Sequence, residues 1–203
     1  MKLLRMDTKS YPMRDFEREL YLDAGIGEIV EIDDDDPEAV VRIDADVLSV
    51  IPGYLPGAVL ERLSNCRMII RLGAGYDKID LDMATRKGIY LIIVPDYCVH
   101  EVAEHIVMLM LSIARKLIVM NRAAIDGSWM QARKDTKLSR LHGKTLGILG
   151  FGRIGRQVGR IAHSMGMDVL IYDVAISEQP DYQVERVDMD TLLKTATSAV
   201  RPT

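Results

Sequence analysis

Gly147-Ile-Leu-Gly150-Phe-Gly152-Arg-Ile-Gly155 is the stretch on which the reading of this chain turns. The run before it, Lys144-Thr-Leu-Gly-Ile-Leu149, is apolar and partly β-branched, as a buried strand is, and residues 153–165 carry the mixed pattern of a helix. Beyond that helix a second apolar run, Val169-Leu-Ile-Tyr, ends in Asp173. Gly150 permits a tight turn, Gly152 lets the backbone approach a diphosphate, and Gly155 lets the helix pack closely. Arg153 and Ile154 open the helix, whose free amides and positive dipole end suit the diphosphate. Asp173, at the tip of the second strand, is set to accept hydrogen bonds from ribose hydroxyls, and its charge repels a 2′-phosphate. An ordinary turn can carry the same glycines. Strand, helix, second strand and acid in register favour a dinucleotide site with NAD preferred over NADP.

Bulk properties narrow the setting. The 203 residues suffice for one large or two small domains, each with a real core. A net charge of -4 with interspersed signs provides no basic stripe, so no nucleic-acid partner is expected. Cys66 and Cys98 are far apart and match no metal or redox spacing, which points to a reduced, cytoplasmic environment. Asp7 and Lys9 arrive before a signal-type apolar region could develop, so no export is expected. The most apolar stretch, residues 106–114, meets Arg115-Lys116 well short of the roughly 20 residues a membrane span needs.

Strand and helix patterns alternate along the chain. Strand candidates are residues 2–5, 28–32, 47–51, 67–72 and 89–94, with helices expected over 14–24, 57–63 and 81–87. Such alternation implies an α/β fold with a mostly parallel sheet covered on both faces. Asp33-Asp-Asp-Asp36 before Pro37 could hold a cation, but no glycine-turned ligand loop follows, and a solvated turn feeding a helix is the favoured reading.

The longest helix is expected over residues 100–126, closed by Gly127-Ser128-Trp129, with a polar loop from 130 to 140. Its middle, Val107-Met-Leu-Met-Leu-Ser-Ile-Ala114, is apolar on nearly every face and so calls for more than one packing neighbour. A partner subunit or a second domain of the same chain would serve equally. His100-Glu-Val-Ala-Glu-His105 resembles a zinc-protease helix, but that motif needs histidines four apart; five apart, they diverge around the helix.

Arg71-Leu-Gly-Ala-Gly-Tyr-Asp-Lys-Ile-Asp80, Ala84-Thr-Arg-Lys-Gly-Ile89, Val94-Pro-Asp-Tyr-Cys98, Glu101-Val-Ala-Glu-His105 and the 147–155 turn occur in this order. From about Lys2 to Lys194 the chain resembles the NAD-dependent D-2-hydroxyacid dehydrogenases, a family that includes phosphoglycerate dehydrogenase and glyoxylate or hydroxypyruvate reductase. The resemblance implies a flavodoxin-like substrate domain over residues 1–99, followed by a Rossmann-type doubly wound NAD domain over 100–203. It implies a small 2-hydroxy or 2-oxo acid as substrate and a homodimer in the complete protein. It further implies that the backbone amides of Leu72, Gly73, Ala74 and Gly75 hold the substrate carboxylate, which suits glycine-rich anion nests.

The family's arginine, glutamate and proton-transferring histidine follow the third strand of the cofactor domain. Residues 184–187 resemble that strand and 190–194 the next helix, after which Thr195-Ala-Thr-Ser-Ala-Val-Arg-Pro-Thr203 departs from the apolar fourth strand of the family. None of His100, His105, His142 and His163 matches the catalytic histidine, so no catalytic residue is assigned. On this reading the Rossmann sheet is incomplete, residues 145–149 form an exposed sheet edge, and the chain is inactive alone. Two other readings remain: an NAD-responsive binding protein of the corepressor type, or a truncated remnant that does not fold stably.

Overall fold

A computed structural model describes residues 1–33, 36–175 and 180–201. The chain divides into two compact units, Met1–Tyr97 and Cys98–Thr203.

The first unit alternates strand and helix: β1 (Lys2–Arg5), α1 (Asp15–Asp23), β2 (Glu28–Glu31), α2 (Pro37–Ile43), β3 (Val47–Val50), α3 (Gly57–Arg62), β4 (Met68–Arg71), α4 (Leu81–Arg86) and β5 (Tyr90–Ile93). All neighbours are parallel, in the order β2-β1-β3-β4-β5, the flavodoxin-like arrangement. Register follows burial. Leu4 faces Leu48, and Leu48 faces Ile69, all three fully buried with Val40 and Leu60 above them. Short polar side chains start two of the helices. Asp36 accepts the Glu38 amide (3.0 Å) at α2, and Asp80 accepts the Met83 amide (2.8 Å) at α4. Asp36 is thus a helix cap, while Asp34 and Asp35 of the acidic run lie outside the described residues.

The second unit comprises α5 (Val99–Ala114), α6 (Leu117–Ile125), α7 (Trp129–Asp135), β6 (Thr145–Leu149), α8 (Arg153–Ser164), β7 (Asp168–Tyr172), β8 (Glu185–Arg186), α9 (Met189–Thr195) and β9 (Ser198–Val200). The sheet is parallel, in the order β8-β7-β6-β9. It is the 3-2-1-4 portion of a doubly wound sheet. Ala103, Val107, Met110 and Ala114 of α5 join Leu146, Ile148, Val158 and Ala162 in one core.

Three expectations are corrected here. The single helix over 100–126 is two helices, because Lys116 takes a left-handed conformation (φ 53°) that breaks the hydrogen-bond ladder after Ala114. Only one face of α5 is buried; Met108, Leu109, Leu111 and Ile113 are exposed. The polar loop over 130–140 begins as helix α7, and Gly127 (φ 79°) turns the chain before it.

The third correction concerns the sheet edge. Residues 145–149 are not an edge, because β9 pairs with β6 in register, Leu146 with Ser198, Gly147 with Ala199 and Ile148 with Val200. The small polar residues around 195–198 conceal this strand in the sequence. What sets it is α9, whose fully buried Leu192 seats on Gly147 and returns the chain along β6, with the Thr197 amide donating to the Thr145 carbonyl (2.9 Å). A Cβ at Gly147 would stand 2.6 Å from Leu192 Cδ2 and 2.9 Å from Ala196 Cβ. Gly147→Ala should therefore cost about 1–3 kcal/mol through overpacking, read as a lower urea midpoint. Combined with Leu192→Ala, the double variant should lose less than the sum of the single losses, because the smaller side chain makes room for the methyl group. Strict additivity would show that α9 does not rest on Gly147.

Candidate functional site

The glycine turn occupies the carboxyl end of β6, beside β7 and β9. Gly150 adopts φ 95°, a conformation costly for any residue with a Cβ, and its amide donates to the Tyr172 carbonyl at 2.9 Å. Gly152 caps α8 in extended conformation, so the first-turn amides of Ile154 and Gly155 have no partner within the helix. Gly155 is buried, and a Cβ there would collide with the Gly150 carbonyl oxygen, so the helix can start this close to the turn only with glycine. The result is a row of amides at a helix N-terminus, beside bare backbone at Gly152, where nothing stands within 4 Å of a Cβ position.

Asp173 belongs to the same constellation. Its carboxylate accepts the Phe151 amide at 2.6 Å and the Ala175 amide at 2.7 Å. The Ala175 and Phe151 amides hold its carboxyl below the ordinary carboxylate range, assisted by Arg186 and Arg156. The group is therefore ionised at neutral pH, and its hold on the turn is lost only as pH falls through that lowered value. Being half-exposed, the carboxylate keeps lone pairs for a further donor such as a ribose hydroxyl.

Four residues outside the glycine pattern support the turn. Phe151 is buried with the Arg156 guanidinium 5.4 Å from its ring centre. The Tyr182 hydroxyl donates to the Arg156 carbonyl at 2.7 Å and packs over Gly159. Arg186 Nη2 donates to the Asp173 carbonyl at 3.1 Å. Tyr182 and Arg186 come from the connection into β8 and from β8 itself, a long-range approach that no local pattern signals.

Leu72, Gly73, Ala74 and Gly75 lie in the first unit, after β4. The Leu72 amide donates to the Val50 carbonyl (2.9 Å) and the Gly73 amide to the Arg71 carbonyl (2.8 Å). Those two donors are spent, which leaves Ala74 and Gly75 to offer amides from this loop. The Arg71 guanidinium folds over Gly73, where a Cβ would stand 3.0 Å from Nη1.

The histidines stand elsewhere. His142 precedes β6 and abuts Gly166, and His163 closes α8 with its ring 5.6 Å from that of Tyr182; both belong to the opposite end of the β6–β7 sheet from the glycine turn. His100 and His105 are exposed on α5.

Residues 107–200 match the family model described as D-isomer specific 2-hydroxyacid dehydrogenase, NAD binding domain. The chain is 38% identical over 137 residues to a D-3-phosphoglycerate dehydrogenase of Archaeoglobus fulgidus, covering 66% of this chain and 26% of that protein. It is 40% identical over 136 residues to a hydroxypyruvate reductase of Thermotoga maritima, covering 67% of this chain and 44% of that one. The chain thus spans less than half the length of these relatives. Among solved structures, an NAD-dependent formate dehydrogenase from Staphylococcus aureus in complex with NAD shares the fold, with a TM-score of 0.83 at 24% identity over 100% of this chain and 65% of that chain. The glycine turn with its acid and the sequence relatives agree: residues 107–200, within the second unit, match the NAD-binding domain of the D-isomer specific 2-hydroxyacid dehydrogenases.

Proposed function

We propose that the chain serves an oxidoreductase that transfers hydride between NAD(H) and a small 2-hydroxy or 2-oxo acid, with residues 1–99 in its substrate domain and 100–203 in its cofactor domain. The observation that carries this reading is the glycine turn held to Asp173 through the Phe151 amide. The amides of Arg153, Ile154 and Gly155, beside the turn at Gly150 and the open backbone of Gly152, would hold the diphosphate, and Asp173 the adenosine ribose. Ala74 and Gly75 would donate their amides to the substrate carboxylate, in a loop completed by Leu72 and Gly73. When bound at these residues, NAD would supply the hydride-transfer chemistry for C2 of the 2-hydroxy or 2-oxo acid. No residue of this chain is assigned the hydroxyl proton.

A homodimer accompanies this reading. Leu117, Ile118, Val119 and Ile125 of α6 are exposed, an apolar face that a second copy would cover. Sedimentation of the chain as a monomer at micromolar concentration would exclude the pairing.

Calorimetry on the chain should give tighter binding of NAD than of NADP. Asp173→Ala should weaken NAD by about 1–3 kcal/mol, because a ribose acceptor and the Phe151 tether are lost together, and should narrow the gap to NADP. Equal affinity for both cofactors in the unaltered chain would refute the role of Asp173. Activity is tested by NADH oxidation with glyoxylate, hydroxypyruvate and pyruvate. With His142 and His163 away from the glycine turn, the 203 residues alone should fall short of a version extended by the rest of a family member by the roughly 10²–10⁴-fold that a positioned acid–base group contributes. Equal rates would show that a group within this chain moves the proton.

A further inference from the structure

We propose that Asp7 is a positioning residue for the loop at 72–80, a role that rests on the reading of Ala74 and Gly75 as carboxylate donors. Asp7 follows β1 and is buried, 7% exposed, yet it adopts φ 65°, a left-handed conformation uncommon outside glycine. Its backbone carbonyl accepts the Tyr11 amide at 2.9 Å. Its side chain reaches across to the segment after β3, where Oδ2 accepts the Ile51 amide at 2.9 Å and the Gly53 amide at 3.3 Å. The carboxylate lies close against Gly53, where a Cβ would meet the same oxygen and Met6 Cε at 3.4 Å.

The segment pinned by Asp7 holds the substrate loop at both ends. At the near end the Leu72 amide donates to the Val50 carbonyl at 2.9 Å. At the far end the Leu55 amide donates to the Lys78 carbonyl (2.9 Å), the Asp80 amide to the Leu55 carbonyl (3.2 Å), and Lys78 Nζ to the Pro52 carbonyl (3.0 Å). Ala74 and Gly75 lie between these ties. In a sheet of order 2-1-3-4-5 the ligand crevice opens at the carboxyl ends of the first and third strands. Here the amides at that point are filled by the chain's own carboxylate, and the unpaired amides are displaced one loop along, after β4.

The test uses the 203-residue chain, amide hydrogen exchange and titration with glyoxylate and with NAD. Asp7→Gly keeps the left-handed backbone and removes only the carboxylate, which separates its hydrogen bonds from strain. Exchange at Ile51 and Gly53 and also at Leu72, Ile79 and Asp80, the bonded amides that flank the loop, should quicken about tenfold, and glyoxylate-induced shifts at Ala74 and Gly75 should need about tenfold more ligand, with NAD affinity unchanged. Added formate should restore protection in Asp7→Gly and have no such effect on the unaltered chain. Exchange at Leu72, Ile79 and Asp80 that rises no more than in the rest of the first unit would overturn the proposal. Should Asp7→Gly fail to fold, Lys78→Met cuts an exposed link of the same chain of contacts; the Ile79 and Asp80 amides should then exchange faster while Ile51 and Gly53 stay protected, and no change at Ile79 and Asp80 would equally overturn it. If glyoxylate leaves Ala74 and Gly75 of the unaltered chain unshifted while Asp7→Gly still quickens exchange at Leu72, Ile79 and Asp80, the carboxylate reading fails and the positioning role stands.

Discussion

The hydrogen bond from the Phe151 amide to the Asp173 carboxylate ties the turn after β6 to the end of β7, and the form of the cofactor end depends on it. Gly150 can turn through a left-handed conformation because the Phe151 amide that follows has a fixed acceptor. α8 can begin beside that turn because Gly155 presents no Cβ to the Gly150 carbonyl. A single neutral hydrogen bond contributes only about 1 kcal/mol net, and one to a charged group about 1.5–3. An ionised carboxylate holding two amides is therefore a strong local constraint for an irregular segment, though it is half-exposed and weakened by solvent.

Most of this was legible because the signals are local. Strand runs at 2–5 and 145–149, the glycine spacing and the terminal acid of β7 each lie within a few residues of the feature they specify. β9 was not. Ser198-Ala-Val200 carries too little apolar character to announce a strand, and its pairing with β6 depends on Leu192 finding the bare face of Gly147, a contact across 45 residues of chain. The break at Lys116 was hidden for a different reason: lysine is a good helix former, and its left-handed conformation is imposed by how α5 and α6 pack rather than by propensity.

The loop at 72–75 shows how a composition can leave the number of available donors undecided. Leu72-Gly73-Ala74-Gly75 has the glycines of an anion nest, yet the Leu72 and Gly73 amides are consumed by the sheet and by Arg71. Which amides stay free is decided by register between β3 and β4, and register is a property of the whole sheet.

Both units solve one problem in the same way. Loops at the carboxyl ends of parallel strands need acceptors for amides that no ladder satisfies. In each unit an aspartate just past a strand supplies them, Asp7 to Ile51 and Gly53, Asp173 to Phe151 and Ala175. Exposure separates their roles. Asp173 is half-exposed and, with lone pairs to spare, can hold its loop and still meet a ligand; Asp7 is buried, so its carboxylate is confined to shaping the backbone around it.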